Sequence, residues 1–324
     1  MSKSFVRFAW AVLAFTLAVV LWGAFVRATG AGAGCGNHWP LCNGEVLPRA
    51  PAVKTVIEFT HRVMSGLDGF LILFLMLWAF RVYPRLHLVR QAAALSFGFV
   101  VTEALIGAAL VKLEHVAQSA SVGRAWSLSG HLINTLALLA CLALTAFWGT
   151  QRQGKAPVPL GSWNAWAALP GLLLFVLAGI SGAIAALGDT LFPAASLAAG
   201  FRQDFDSAAN VFLRLRWFHP FLAMIAGAWL CIYALRVEAR LPRAKPYART
   251  LLTLVGLQTG AGVLNLLLLA PVWMQILHLL LADVVWVAVV LLAGYALQES
   301  VTAADLPIDE MASFADRGGG AGAR

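Results

Sequence analysis

Eight stretches of about 20 residues, nearly free of charge and rich in Leu, Ala, Val and Phe, recur along this chain and leave it few ways to fold. They lie near residues 5–26, 56–80, 92–111, 126–147, 163–187, 211–235, 250–270 and 272–297. A helix rises about 1.5 Å per residue, so about 20 residues cross the hydrocarbon core of a bilayer. Within that core every backbone N–H and C=O must find its partner inside the protein, and continuous apolar runs satisfy this as helices. Composition agrees. Of 324 residues 60% are hydrophobic and 12% charged, against about 25% charged in soluble domains. The expected fold is all-α integral membrane with eight transmembrane helices. Lys3 and Arg7 ahead of the first run, and "ATGAGAG" after it, resemble a signal peptide. Its apolar length exceeds the usual ~7–15 residues, so a retained helix is expected.

Lys and Arg in the short loops set orientation. With the N-terminus inside, the cytoplasmic side receives Lys3, Arg7, Arg81, Arg85, Arg90, Arg152, Lys155, Arg236, Arg240, Arg243, Lys245, Arg249, Arg317 and Arg324, which is 14 of the 23 basic residues. Both termini are expected on the cytoplasmic side of the cell (inner or plasma) membrane. The net charge of +8 is then mostly this bias, and no basic cluster interleaved with aromatics points to nucleic acid. Residues 300–324, ending "ADRGGGAGAR", read as a disordered cytoplasmic tail.

This topology makes residues 28–55 and 188–210 the long outer loops. Cys35 and Cys42 lie in the first, in "GCGNHWPLC", on the side where a disulfide persists. A structural disulfide, a redox-active pair and a metal site that adds His38 are all compatible with that spacing. Cys141 and Cys231 fall inside spans, where buried thiols pack.

Of seven histidines, His38, His87 and His115 fall in loops or at helix ends, where solvation is expected. His61, His131, His219 and His278 each fall in a different even-numbered span, about five to eight residues from its outer start, or about 8–12 Å along the axis. One intramembrane imidazole is readily explained by packing. Four at a shared depth point to metal ligation, and two histidines on facing helices supply both axial ligands of a heme iron.

The chain also reads as a duplication. "EFTHRVMSGLDGFLILF" aligns with "RWFHPFLAMIAGAWLCI", "SGHLINTLALLACLAL" with "ILHLLLADVVWVAVVLL", and "TEALIGAALV" with "QTGAGVLNLL", while "GAFVRATGAG" and "GAIAALGDT" match faintly. Residues 1–150 and 151–299 are therefore expected as two pseudo-symmetric four-helix bundles, pairing His61 with His131 and His219 with His278. The copies differ at the first histidine. Glu58 and Arg62 flank His61, where the second copy has Arg216 and Pro220. Glu58 lies one turn outward of His61 and suits a proton acceptor beside an iron site, with Arg62 on a propionate; an interfacial ion pair between the two is the alternative. Glu103, Asp68, Asp283, Asn134 and Gln258 are costly in lipid and are expected to face the bundle interior. For Asp68, two turns beyond His61, a proton path and a helix-to-helix hydrogen bond both fit.

Glu-x-x-His-Arg at residues 58–62, a histidine in each even span, Cys-x6-Cys in the outer loop, "GDTLFP" after span five and "QILHLLLAD" in span eight resemble the heme A synthase family over about residues 5–297. The resemblance implies oxidation of one methyl of heme O to a formyl group, giving heme A for terminal oxidases. It implies a substrate heme O site at His61 and His131 with Arg62, catalysis by Glu58, and a heme b that passes electrons at His219 and His278. It further implies cytochrome oxidase assembly as the setting and heme O synthase as a partner; a homo-oligomer is compatible with it, and the electron donor is not identified by the residues. Pro220, where Arg is expected by analogy with Arg62, and the lack of cysteines in the second outer loop depart from the pattern. Two other classes share the histidines: a di-heme b-type electron carrier without hydroxylase activity, and a proton-coupled transporter built from repeats.

Overall fold

The computed structural model describes residues 3–150 and 163–304, with side chains placed for 3–150 and 167–298. Arg152, Lys155, Arg317 and Arg324, used above for orientation, lie outside the described residues, as does the tail from 305 onward. Among the described residues all regular structure is helical: α1 Lys3–Ala28, α2 Val53–Val82, α3 Leu88–Lys112, α4 Val122–Gly149, α5 Trp163–Leu191, α6 Leu197–Phe205, α7 Val211–Arg216, α8 Phe218–Arg240, a 3₁₀ turn Pro242–Ala244, α9 Lys245–Leu267 and α10 Val272–Ala304. Eight stretches are long and apolar enough to cross a membrane, α7 and α8 together forming one of them. The chain is a multi-pass membrane protein.

Helix ends follow local chemistry. Ser121 caps α4 by accepting from Arg124 N, and Ser196 caps α6 through Ala199 N; a hydroxyl at that position satisfies an otherwise orphaned amide. At the end of α9, Ala270 N donates back to Asn265 O across two left-handed residues, Leu269 and Ala270, and Pro271 forbids continuation.

The structure departs from the sequence reading at three places. The sixth span is interrupted at Trp217, between α7 and α8, because Pro220 has no N–H to offer the carbonyl of Arg216. The second outer loop contains the nine-residue helix α6. The last helix continues to Ala304, so the tail boundary placed at 300 is late helix instead.

Helix α1 packs on α2 and α4, α2 on α3, and α3 on α4; in the second half α5 packs on α8 and α10, α8 on α9, and α9 on α10. The order of neighbours is the same in both sets. The sets meet through α4 with α5 and α10, and through α1 with α10. Helix α4 is central, with 56% of its apolar window buried inside the protein, whereas α3 and the α9 span have 11% and sit outside. Their exposed Leu95, Leu105, Leu257 and Leu264 meet lipid. Trp286 ties the halves together by donating from Nε1 to Leu136 O at 2.7 Å, with Phe175 stacked on its ring at 5.4 Å.

Trp286→Phe keeps the ring and removes this one bond, worth about 1 kcal/mol. We expect the thermal midpoint in detergent to fall by about 2–4 °C, as read by the fluorescence of remaining tryptophans.

Candidate functional site

Each of the four histidines of the even-numbered spans lies toward the N-terminal end of its helix, and three of them lie against a glycine of a neighbouring helix. A Cβ on Gly23 of α1 would come within 2.9 Å of His61 Cε1, on Gly182 of α5 within 2.8 Å of His219 Cε1, and on Gly262 of α9 within 3.1 Å of His278 Cε1. Real Cβ atoms rarely approach so closely, so these glycines are what lets the rings occupy their places. Gly23 and Gly182 open the two faintly matching segments "GAFVRATGAG" and "GAIAALGDT". The signal was present there, and residue type alone did not reveal it.

His219 and His278 meet with ring centroids 6.3 Å apart and ring planes 81° to each other. An iron bound about 2 Å from one nitrogen of each ring puts the two ring centres about 6 Å apart, so the pair fits a single heme iron. The His219 Nδ1 is committed to Ala178 O at 3.1 Å and Ser181 Oγ at 3.2 Å, which leaves Nε2 as the nitrogen that could bind a metal. Gln258 Nε2 stands 3.4 Å from His278 Nε2.

Helices α2 and α4 lie diagonally in the first set, both flanked by α1 and α3. His61 Nδ1 and His278 Nδ1 are buried without a protein partner among the described residues, an arrangement that costs about 1–3 kcal/mol per atom unless something bound there satisfies the ring. His131 Nδ1 lies 3.0 Å from Glu103 Oε1, a contact close enough for an ion pair but not aligned as a hydrogen bond. Sequence reasoning placed Glu103 inside the bundle and missed this partnership, which depends on how α3 and α4 are rotated. Phe99, Thr102, Leu105, Ile106, Ile133 and Asn134 line a groove of about 450 Å³ beside it.

Glu58 and Arg62 form a pair, Arg62 Nη2 donating to Oε1 at 2.5 Å. The other oxygen, Oε2, accepts from Cys35 N at 2.8 Å. Glu58 is buried, and Arg62 also donates to His38 O at 2.6 Å and Leu41 O at 2.7 Å. The pair therefore docks the α1–α2 loop onto the start of α2, helped by Thr55 Oγ1 donating to Gly34 O. Cys35 and Cys42 are joined in a disulfide. With both sulfurs in that bond, the metal site that would combine them with His38 is overturned.

The second loop is held similarly. Arg216, which the sequence alignment sets against Glu58, pairs with Asp189 at 2.7 Å and Asp204 at 2.6 Å and donates to Gly200 O. Between the halves, Arg27 of α1 donates to Ala186 O and Thr190 Oγ1 of α5 and to Gln275 Oε1 of α10. Asp68 accepts from Thr16 Oγ1 of α1 at 2.9 Å, the helix-to-helix bond. Asp283 is buried, with Oδ2 lacking a partner among the described residues. Two expectations of solvation need correction. His87 is buried as the cap of α3, accepting from Val89 N and packed on Tyr83, and burial lowers its pKa. His115 is half-buried, its Nδ1 2.9 Å from Ser127 Oγ.

Arg62→Gln removes two charge-assisted bonds to the loop, each worth about 1.5–3 kcal/mol. We expect the Cys35–Cys42 bond to be reduced by dithiothreitol at least about tenfold faster, followed by alkylation and mass shift.

Residues 6–290 match the family described as cytochrome oxidase assembly protein. A protoheme IX farnesyltransferase of Thermus thermophilus is 46% identical over 304 residues, covering 92% of this chain and 49% of that protein. A heme A synthase of Alkalihalophilus pseudofirmus is 48% identical over 98 residues, 29% of this chain and 32% of that protein. One of Geobacillus kaustophilus is 42% identical over 111 residues, 34% of this chain and 35% of that protein. The chain thus spans about half the length of the Thermus relative. By the match over nearly its whole length, the chain belongs to the cytochrome oxidase assembly protein family.

Proposed function

We propose that this protein is a heme A synthase, an oxidoreductase that converts one methyl group of heme O to the formyl group of heme A. The observation that carries the reading is the His219–His278 pair, two imidazoles 6.3 Å apart in an apolar bundle, as one iron between them requires. Its neighbour-order counterpart in the first half supports a second site. Heme A synthases of two organisms match parts of the chain at 42% and 48% identity.

In this reading residues 1–150 and 151–299 are two pseudo-symmetric units. His219 and His278 hold heme b, which when bound supplies electron transfer. His61 and His131 hold the substrate iron. Arg62 lies at the outer edge of that site, within the reach of a propionate, and balances the charge of Glu58 by pairing with it. Glu58 accepts the protons released as the methyl is oxidised, one turn outward of His61. The groove between α3 and α4, lined on either side of His131 by Gly130, Ile133 and Asn134, opens to lipid and gives the prenyl chain of heme O an apolar place to lie. A Thermus relative named for farnesylating protoheme IX, twice as long as the matched stretch, fits handover from heme O synthase. Both termini lie on the cytoplasmic side of the cell membrane, with the substrate site toward the outer face.

Extraction of the purified protein and chromatography of its hemes tests the reading. Heme b with heme O or heme A is expected; heme b alone would make the protein an electron carrier, and a colourless protein would point to a transporter. Glu58→Gln should retain heme while forming heme A at least about tenfold more slowly, and a wild-type yield would remove Glu58 from the reaction. Gly182→Ala should raise intrinsic helix propensity by about 1 kcal/mol yet displace His219. We expect folded protein with at least half of its heme b lost, measured as pyridine hemochrome per protein.

A further inference from the structure

Only one of the four imidazoles has a carboxylate as its Nδ1 neighbour among the described residues. Glu103 Oε1 lies 3.0 Å from His131 Nδ1, whereas His219 Nδ1 meets a backbone carbonyl and a serine, and Nδ1 of His61 and of His278 has neither a hydrogen-bond partner nor a carboxylate contact there. The carboxylate is itself held in place. Thr135 Oγ1 donates to Oε1, Asn134 Nδ2 donates to Oε2 at 2.5 Å and to Phe99 O at 2.9 Å, and Asn134 Oδ1 accepts from Thr102 Oγ1 at 2.6 Å. The arrangement is confined to the first half. In the repeat alignment Thr259 stands at the place of Glu103, and its hydroxyl turns back to Val255 O of its own helix.

A carboxylate beside the distal nitrogen of a ligating imidazole fixes the tautomer, orients the ring and makes it a stronger donor to the metal. The effect is larger in a low-dielectric interior. The 3.0 Å separation of His131 Nδ1 and Glu103 Oε1 is within hydrogen-bond reach.

We propose that Glu103 is a positioning residue that makes His131 the strongly donating, retained ligand of the substrate iron and leaves His61, whose Nδ1 has no such support, as the exchangeable one. The proposal rests on the reading that a heme iron sits between His61 and His131. It assigns the two faces of the substrate porphyrin: the His61 side, next to Glu58, is the side that opens. Thr135 moderates the effect by sharing Oε1 of the carboxylate.

Redox titration of the full-length, heme-loaded protein tests this, because the two hemes report separately and the His219–His278 heme serves as an internal reference. Glu103→Gln should raise the midpoint potential of the first-site heme, Glu103→Asp should restore it at least in part, and Thr135→Val should lower it, all with the second-site heme unmoved. In ferrous His61→Gly protein the iron–histidine stretching band, read by resonance Raman, should move to lower frequency when Glu103→Gln is added. A purely structural role predicts no such opposite shifts. If the first-site heme is present and neither Glu103→Gln nor Thr135→Val moves its potential, or both move it the same way, the proposal is overturned while the two-heme reading stands. If His131→Ala removes no heme, there is no first-site iron for Glu103 to tune, and both fall.

Discussion

An imidazole inside a membrane bundle needs something to claim its nitrogens, and this requirement organises the molecule. Four such rings stand toward the N-terminal ends of α2, α4, α8 and α10. Gly23, Gly182 and Gly262 give up their side chains so that the rings fit. The helices that carry each pair pack mainly on the odd-numbered spans beside them. Removing a side chain from a packed interface forfeits dispersion contacts, so three glycines under three histidines are a packing cost that makes room for those rings.

Charge is treated differently in and beside the long loops. There, guanidiniums serve as clamps: Arg62 with Glu58 on the disulfide loop, Arg216 with Asp189 and Asp204 on the second loop, and Arg27 between the halves. Each is partly or fully desolvated and makes several bonds, the condition under which a buried charge is tolerated. The same pair that positions Glu58 one turn outside His61 fastens the loop carrying Cys35 and Cys42, so the state of the loop and the placement of the proposed proton acceptor are mechanically joined.

Much of this was legible in the sequence because apolar runs of membrane length admit few structures. All eight spans appear, and the Cys35–Cys42 disulfide was among the readings offered by the outer loop. What escaped has physical reasons. Helix α6 is only nine residues long and mostly polar on one side, so no hydropathy window finds it. The break at Trp217 was written in Pro220, but a long apolar run masked it. His87 is buried because it caps a helix, a role set by a local bond and not by hydropathy. The Glu103–His131 contact and the reach of Arg27 to Gln275 depend on helix rotation and on contacts between residues far apart in sequence, which no local pattern encodes.

The central claim is that the four imidazoles act as two pairs, each gripping one iron. Heme-to-protein stoichiometry of the four single His→Ala variants, with absorption and electron paramagnetic resonance spectra of the heme that remains, tests it directly. The account predicts that His61→Ala and His131→Ala disturb one and the same low-spin heme, and that His219→Ala and His278→Ala disturb the other. Spectra in which one variant from each half perturbs a shared heme, or in which no variant changes any heme, would contradict it.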